Sequence, residues 1–215
     1  MKIGVFDSGV GGLAFVNSIN NSDIHAEVIF KNDSKHLPYG DKTPKELYNW
    51  VLPILKSLQN DGCEVIVVAC NTVTTNIIND LRQKINVPLI GVEPMIKPAA
   101  ELTKSKTIAV CATPATLASK RYAELKDTYA KSLKVLEPDC SDWTAMIESK
   151  EMDHQKLQAQ IEDVCKNGAD VIVLGCTHYH WIEEDIKKVA SGRATIIQPE
   201  LSVIENLKKV LEQNL

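Results

Sequence analysis

Asp61-Gly62-Cys63-Glu64-Val65-Ile66-Val67-Val68-Ala69-Cys70-Asn71-Thr72 is answered further along the chain by Asn167-Gly168-Ala169-Asp170-Val171-Ile172-Val173-Leu174-Gly175-Cys176-Thr177-His178. Each copy runs from a turn through β-branched apolar residues to a cysteine and a few small polar groups. A continuous apolar run bounded in this way reads as a strand buried on both faces, the kind found in parallel sheets. A second pair, Lys2-Ile3-Gly4-Val5-Phe6-Asp7-Ser8 and Lys106-Thr107-Ile108-Ala109-Val110-Cys111-Ala112-Thr113, repeats at nearly the same offset. Two echoes at one offset imply two similar α/β units. The first is expected over residues 1–95 and the second over 96–199, with a closing helix at 200–215 that packs back onto the first.

The rest of the chain fits that division. Residues 3–6, 28–30, 65–69, 89–92, 108–111, 133–136, 171–175 and 195–197 read as strands. Amphipathic stretches near 10–19, 44–60, 74–84, 114–129, 154–167, 181–190 and 201–213 read as helices between them. Thr43-Pro44-Lys45-Glu46 marks one helix start, with a threonine cap and proline in the first turn. Strands alternating with helices give an α/β class with two pseudo-symmetric parallel sheets, and ligands of such sheets bind beyond the carboxyl ends of the strands. Facing units would therefore put Cys70 and Cys176 in one cleft, each partly exposed at a loop.

The 215 residues are 44% apolar and 24% charged, ordinary for a globular chain with a sizeable core. A formal charge of -4, with lysine and arginine dispersed, offers no footprint for nucleic acid or an anionic membrane, which leaves small molecules as partners. No apolar run approaches bilayer length and the amino end lacks a secretory pattern, so a cytoplasmic protein is expected, with its six separated cysteines reduced.

Asp7-Ser8-Gly9-Val10-Gly11-Gly12 follows the first strand and opens a helix, so its free N–H groups favour a carboxylate or phosphate. It lacks both the Walker lysine and the dinucleotide glycine spacing. Asp7 ends the strand as an ionisable group able to exchange a proton or orient an ammonium. A thiol can take a weakly acidic α-proton only as thiolate, which needs donors nearby, and Asn71, Thr72, Thr177 and His178 stand next to the two cysteines. His178 shares a face with Cys176 if the chain stays extended. Cys176-x-His178-x-His180 has the look of a metal cluster, yet no remote Cys/His pair completes it, so no metal is expected. Pro38-Tyr39-Gly40 reads as a turn at the same mouth, and Glu148, beyond Trp143, as a carboxylate on a helix surface.

Taken together, Asp7 to Gly12, Pro38-Tyr39-Gly40, Ala69-Cys70-Asn71-Thr72, Ala112-Thr113-Pro114-Ala115-Thr116 and Gly175-Cys176-Thr177-His178-Tyr179 occur in the order found in bacterial glutamate racemases, which the chain resembles over nearly its whole length. The resemblance implies racemisation of glutamate without pyridoxal phosphate, metal or other cofactor, feeding D-glutamate to peptidoglycan. It implies that Cys70 handles the α-proton of the D-isomer and Cys176 that of the L-isomer, assisted by Asp7, His178 and, more weakly, Glu148. Asp7, Ser8, Tyr39, Gly40, Asn71, Thr72, Thr177 and His178 would touch substrate, with Thr113 and Thr116 in addition. His180 stands where the family usually has proline, Gln198 where an acidic residue is common, and the chain stops soon after Val210. A homodimer is compatible with the resemblance. The alternatives are an aspartate or broad-specificity racemase, a ligand-binding homologue of weak activity, and a redox or metal-binding protein.

Overall fold

The computed structural model describes residues 1–213, and the last two residues of the expected 200–215 helix lie outside the described residues. In the first half, β1 (Lys2–Asp7), α1 (Leu13–Asn20), β2 (Glu27–Asn32), α2 (Pro44–Asn60), β3 (Val65–Val68), α3 (Asn71–Arg82) and β4 (Leu89–Gly91) follow one another. α4 (Ile96–Leu102) leads into β5 (Thr107–Ala112), α5 (Pro114–Leu117), α6 (Lys120–Tyr129), β6 (Lys134–Leu136), α7 (Trp143–Ser149), α8 (His154–Lys166), β7 (Val171–Gly175), α9 (Glu183–Ala190), β8 (Thr195–Ile197) and α10 (Glu200–Gln213).

Two parallel four-stranded sheets result, ordered β2-β1-β3-β4 and β6-β5-β7-β8. The repeated sequences are thus the two central strands of each sheet. β1, β3, β5 and β7 are almost wholly buried, as a strand covered by helices on both faces must be. Core membership changes sheet between Val92 and Ile96, and changes back at α10, whose Val203, Ile204 and Leu207 pack with Ile3, Val5, Val65 and Val67 under the first sheet.

Local chemistry explains where elements start. Thr43 Oγ1 accepts the Glu46 N–H while Glu46 accepts the Thr43 N–H, a capping box, and Leu47, Val51, Leu55 and Leu58 then form the buried stripe of α2. The expected helix over 114–129 is two helices. Thr113 caps α5 and Ser119 caps α6, each accepting the N–H three residues on, and Ser119 thereby starts a new helix inside the apolar pattern. α3 begins at Asn71 rather than near residue 74. Asn71, Thr72, Thr74 and Thr75 are weak helix formers, but all four are buried, and packing overrides propensity there. α4 and α7, both short, have no counterpart among the expected helices.

Candidate active site

The carboxyl ends of β1, β3, β5 and β7 converge. Ser8, Tyr39, Gly40, Cys70, Asn71, Thr72, Thr113, Thr144, Cys176, Thr177 and His178 line one narrow cavity between the sheets, with room for about a single water, roughly 10 Å3. Cys70 caps the amino end of α3 with extended backbone, and Cys176 leads from β7 into a 3-10 turn, Thr177–Ile182. Both cysteines are buried, at 5% and 9% exposure, against the expectation of partial exposure. No loop intervenes between Cys70 and α3, and loops from both units enclose the cavity.

That closure is built from glycines. A Cβ on Gly11 would lie 2.7 Å from the Thr177 carbonyl carbon, so only glycine lets the first-strand loop approach the backbone beside Cys176. On Gly40 it would lie 3.0 Å from Thr113 Cβ, the corresponding approach on the other side.

Asp7 lies beneath the cavity, fully buried, and accepts N–H groups from Gly12 at 2.8 Å and Gly9 at 3.4 Å and the Thr177 hydroxyl at 3.3 Å. Cys70 Sγ is 3.6 Å from Ser8 Oγ. Around the second sulfur, Thr144 Oγ1 stands at 3.8 Å and His178 Nδ1 at 3.9 Å. The chain does not stay extended through His178, the condition for the two side chains to share a face, but winds into the 3-10 turn; the ring still reaches the sulfur. Its Nε2 meets Glu148 Oε1 at 2.6 Å, and that carboxylate also accepts the Val10 N–H at 3.2 Å. Glu148 is therefore no free surface carboxylate, since α7 carries it over the loop to the histidine. Thr116 sits behind the wall, in a hydroxyl cluster with Thr113 at 3.0 Å and Thr72, whose Oγ1 is 2.9 Å from that of Thr113.

The Asp/Glu/Hydantoin racemase family matches residues 23–204. Glutamate racemase of Ralstonia pickettii is 36% identical over 97% of this chain and 76% of its own length. The crystal structure of Escherichia coli glutamate racemase with L-glutamate and the activator UDP-MurNAc-Ala superposes with a TM-score of 0.88 at 28% identity, covering 98% of this chain and 82% of that one. Francisella tularensis glutamate racemase in complex with D-glutamate gives a TM-score of 0.84 at 27% identity, covering 99% and 81%. The chain belongs to the Asp/Glu/hydantoin racemase family.

Within this racemase fold the electrostatics divide the site. Burial, then the Asp7 carboxylate, push the Cys70 thiol up to about 12, against the Val73 N–H and Ser8. Burial likewise raises Asp7, opposed by His178 and the loop N–H groups. Burial disfavours the His178 cation, but Cys176, Asp7 and Glu148 outweigh it and raise the imidazole to about 10. His178 is then a cation at neutral pH, donating to Glu148.

Thr144 is the wall residue that sequence reading missed, because α7 was missed; Trp143 and Ile147, four apart, are the signal that one helix face is apolar. Asn71 is buried at the wall with neither its amide nitrogen nor its oxygen hydrogen-bonded. His180 turns away from Cys176 to Gln198 Oε1 at 3.1 Å and Glu200 Oε1 at 3.3 Å, so the Cys-x-His-x-His run does not converge. Among the described residues no three His, Cys, Asp or Glu side chains converge as metal ligands, and no helix is long and apolar enough to cross a membrane.

Proposed function

We propose that the protein interconverts L- and D-glutamate without a cofactor, by exchanging the α-proton between Cys70 and Cys176, in the cytoplasm, and supplies D-glutamate for peptidoglycan. The observation that carries this reading is that two cysteines, from the equivalent ends of β3 and β7, line one closed cavity whose wall is otherwise hydroxyls, amides and an imidazole. The complexes of related racemases with L-glutamate and with D-glutamate support the choice of substrate. Residues 1–95 and 96–199 act in this reading as two domains, with the helix from residue 200 returned to the first.

One thiolate takes the proton from Cα to form S–H, and the C–H bonding pair stays on carbon as a planar carbanion; the opposite thiol then delivers its proton to the other face, leaving a thiolate, and the same two groups run the reverse reaction. On the D-isomer Cys70 is the base, with Asp7 beside it, and on the L-isomer Cys176, with His178. Burial, and then the nearby Asp7 charge, make the Cys70 thiol hold its proton tightly. A substrate ammonium placed toward Asp7 cancels that charge and favours the thiolate. The unpaired Asn71 amide, with Ser8, Thr72, Thr113 and Thr177, supplies both donors and acceptors for the two carboxylates and the ammonium. The closed cavity keeps water from the carbanion and lets these fixed dipoles act at low dielectric.

Incubation of each glutamate enantiomer in heavy water tests the reading. Deuterium should appear at Cα of the opposite enantiomer; no exchange in either direction, or faster exchange with aspartate, would overturn the glutamate assignment.

A further inference from the structure

The segment that joins β2 to α2, residues 33–42, is the strap that closes the first unit onto the second. It begins where the Asp33 N–H meets the Asp7 carbonyl at 3.2 Å, and it ends in the 3-10 turn Tyr39–Asp41, which lays Gly40 against Thr113. Only its Tyr39–Gly40 tip lines the cavity. Behind that tip stands a second polar chain. Asp33, 8% exposed, accepts the Tyr39 hydroxyl at 2.6 Å on one oxygen and faces His36 Nδ1 at 2.8 Å from both. The His36 ring lies flat on the Trp50 indole of α2, with centroids 4.3 Å apart and planes 4° from parallel. A partly exposed ring on the body of the fold, a buried carboxylate and a cavity-lining phenol are thus joined in series.

From this geometry we infer that Asp33 and His36 are positioning residues that fix the Tyr39–Gly40 wall and so set substrate affinity. The inference rests on the racemase reading for its kinetic consequences. Neither residue lines the cavity or touches a reacting atom. What they do is hold a strap whose Tyr39–Gly40 tip forms part of the wall of the cavity that both buried cysteines line. A carboxylate shared between two donors keeps the tip in one place; with one donor gone, the carboxylate is under-satisfied and the phenol loses a fixed partner. Affinity held this way is the same for bound substrate and for the transition state, so its loss appears in KM rather than kcat.

Two substitutions separate the contacts of His36. His36→Phe keeps a ring for Trp50 but removes the donor to Asp33, whereas His36→Asn keeps a donor near the Nδ1 position and removes the stack. His36→Phe should raise KM for glutamate roughly tenfold, the size of one charged hydrogen bond, with kcat within about twofold, while His36→Asn stays near wild type. Tyr39→Phe removes the other half of the chain, so the effects of His36→Phe and Tyr39→Phe on KM should fall short of additive. An unchanged KM in His36→Phe, a loss confined to kcat, or strict additivity would overturn the inference. Amide exchange of residues 33–42 in the ligand-free proteins supplies a readout that does not need activity: His36→Phe should exchange faster there and nowhere else. Wild-type protection of the strap in that variant would sink the inference even if the racemase reading failed, and inactivity of the wild-type protein would sink that reading alone.

Discussion

Cys70 and Cys176 line one cavity, so under the proposed two-thiol exchange the loss of either removes one of the two proton carriers. Cys70→Ala or Cys176→Ala should lower racemisation at least about 10²–10⁴-fold with little change in melting temperature, both being measurable on the same preparation. The remaining cysteines serve the cores or lie outside the site, so Cys165→Ser should leave turnover unchanged. His178 gives a pH signature. Its pKa rises from about 6.5 unfolded to about 10 folded, so its contribution to stability is complete below pH 6.5 and is lost as the pH climbs toward 10. His178→Asn should flatten the decline of melting temperature across that window; an unchanged slope would place the titration elsewhere. At this scale the cysteines were legible because they end duplicated strands. Glu148 was legible only through the resemblance, because nothing in the sequence around it tells that α7 swings it onto His178 at 2.6 Å. Tyr39 was legible as a turn residue and, through the resemblance, as a substrate contact; the carboxylate that holds it, Asp33, lies six positions earlier and meets it only once the strap folds.

The elements were legible wherever a strong local signal agreed with packing. α2 has a capping box and a stripe at helical spacing, and it stands where the sequence places it. Thr43→Ala should cost about 0.5–2 kcal/mol by removing that cap, readable by urea unfolding, with activity retained per folded molecule. Element starts escaped notice where local and tertiary preferences conflict. α3 opens on asparagine and threonines that prefer caps and turns, yet burial against the second unit holds them helical, and so the cysteine before them caps a helix rather than bordering a loop. The glycine loop after β1 is the complementary case, a tight turn in sequence and a docking surface in space. Gly11→Ala would drive its methyl into the Thr177 backbone at 2.7 Å, which cannot rotate aside. The expected result is a stability loss of about 1–3 kcal/mol and a larger fall in kcat/KM than in stability, since the loop carrying Asp7 and Ser8 is pushed off the second unit.

At the scale of the molecule, the duplicated strands explain why both sheets have the same order and why their carboxyl ends face each other. Parallel strands of one hand, each followed by its helix, present equivalent edges, and two such units facing each other bring equivalent positions to one cleft. Closure follows from side chains remote in sequence, so the burial of both cysteines was not legible. The chain passes between the sheets twice, after Val92 and again before α10, whose apolar face packs into the first sheet's core while Glu200 at its start pairs with His180. Leu207, fully buried there, is therefore a means of loosening one unit alone. Leu207→Ala should cost about 2–5 kcal/mol in that core. Native-state amide exchange should report the loss in β1 and β3 while β5 and β7 keep their protection, because the second sheet has separate apolar clusters. An equal loss in all four strands would mean that the units unfold as one body, with the cleft contacts at Gly11, Gly40 and Thr113 binding the sheets as tightly as either core. Separate loss would mean that the cleft joins two independently stable halves, the arrangement that lets a buried pair of thiols open to a ligand without unfolding either sheet.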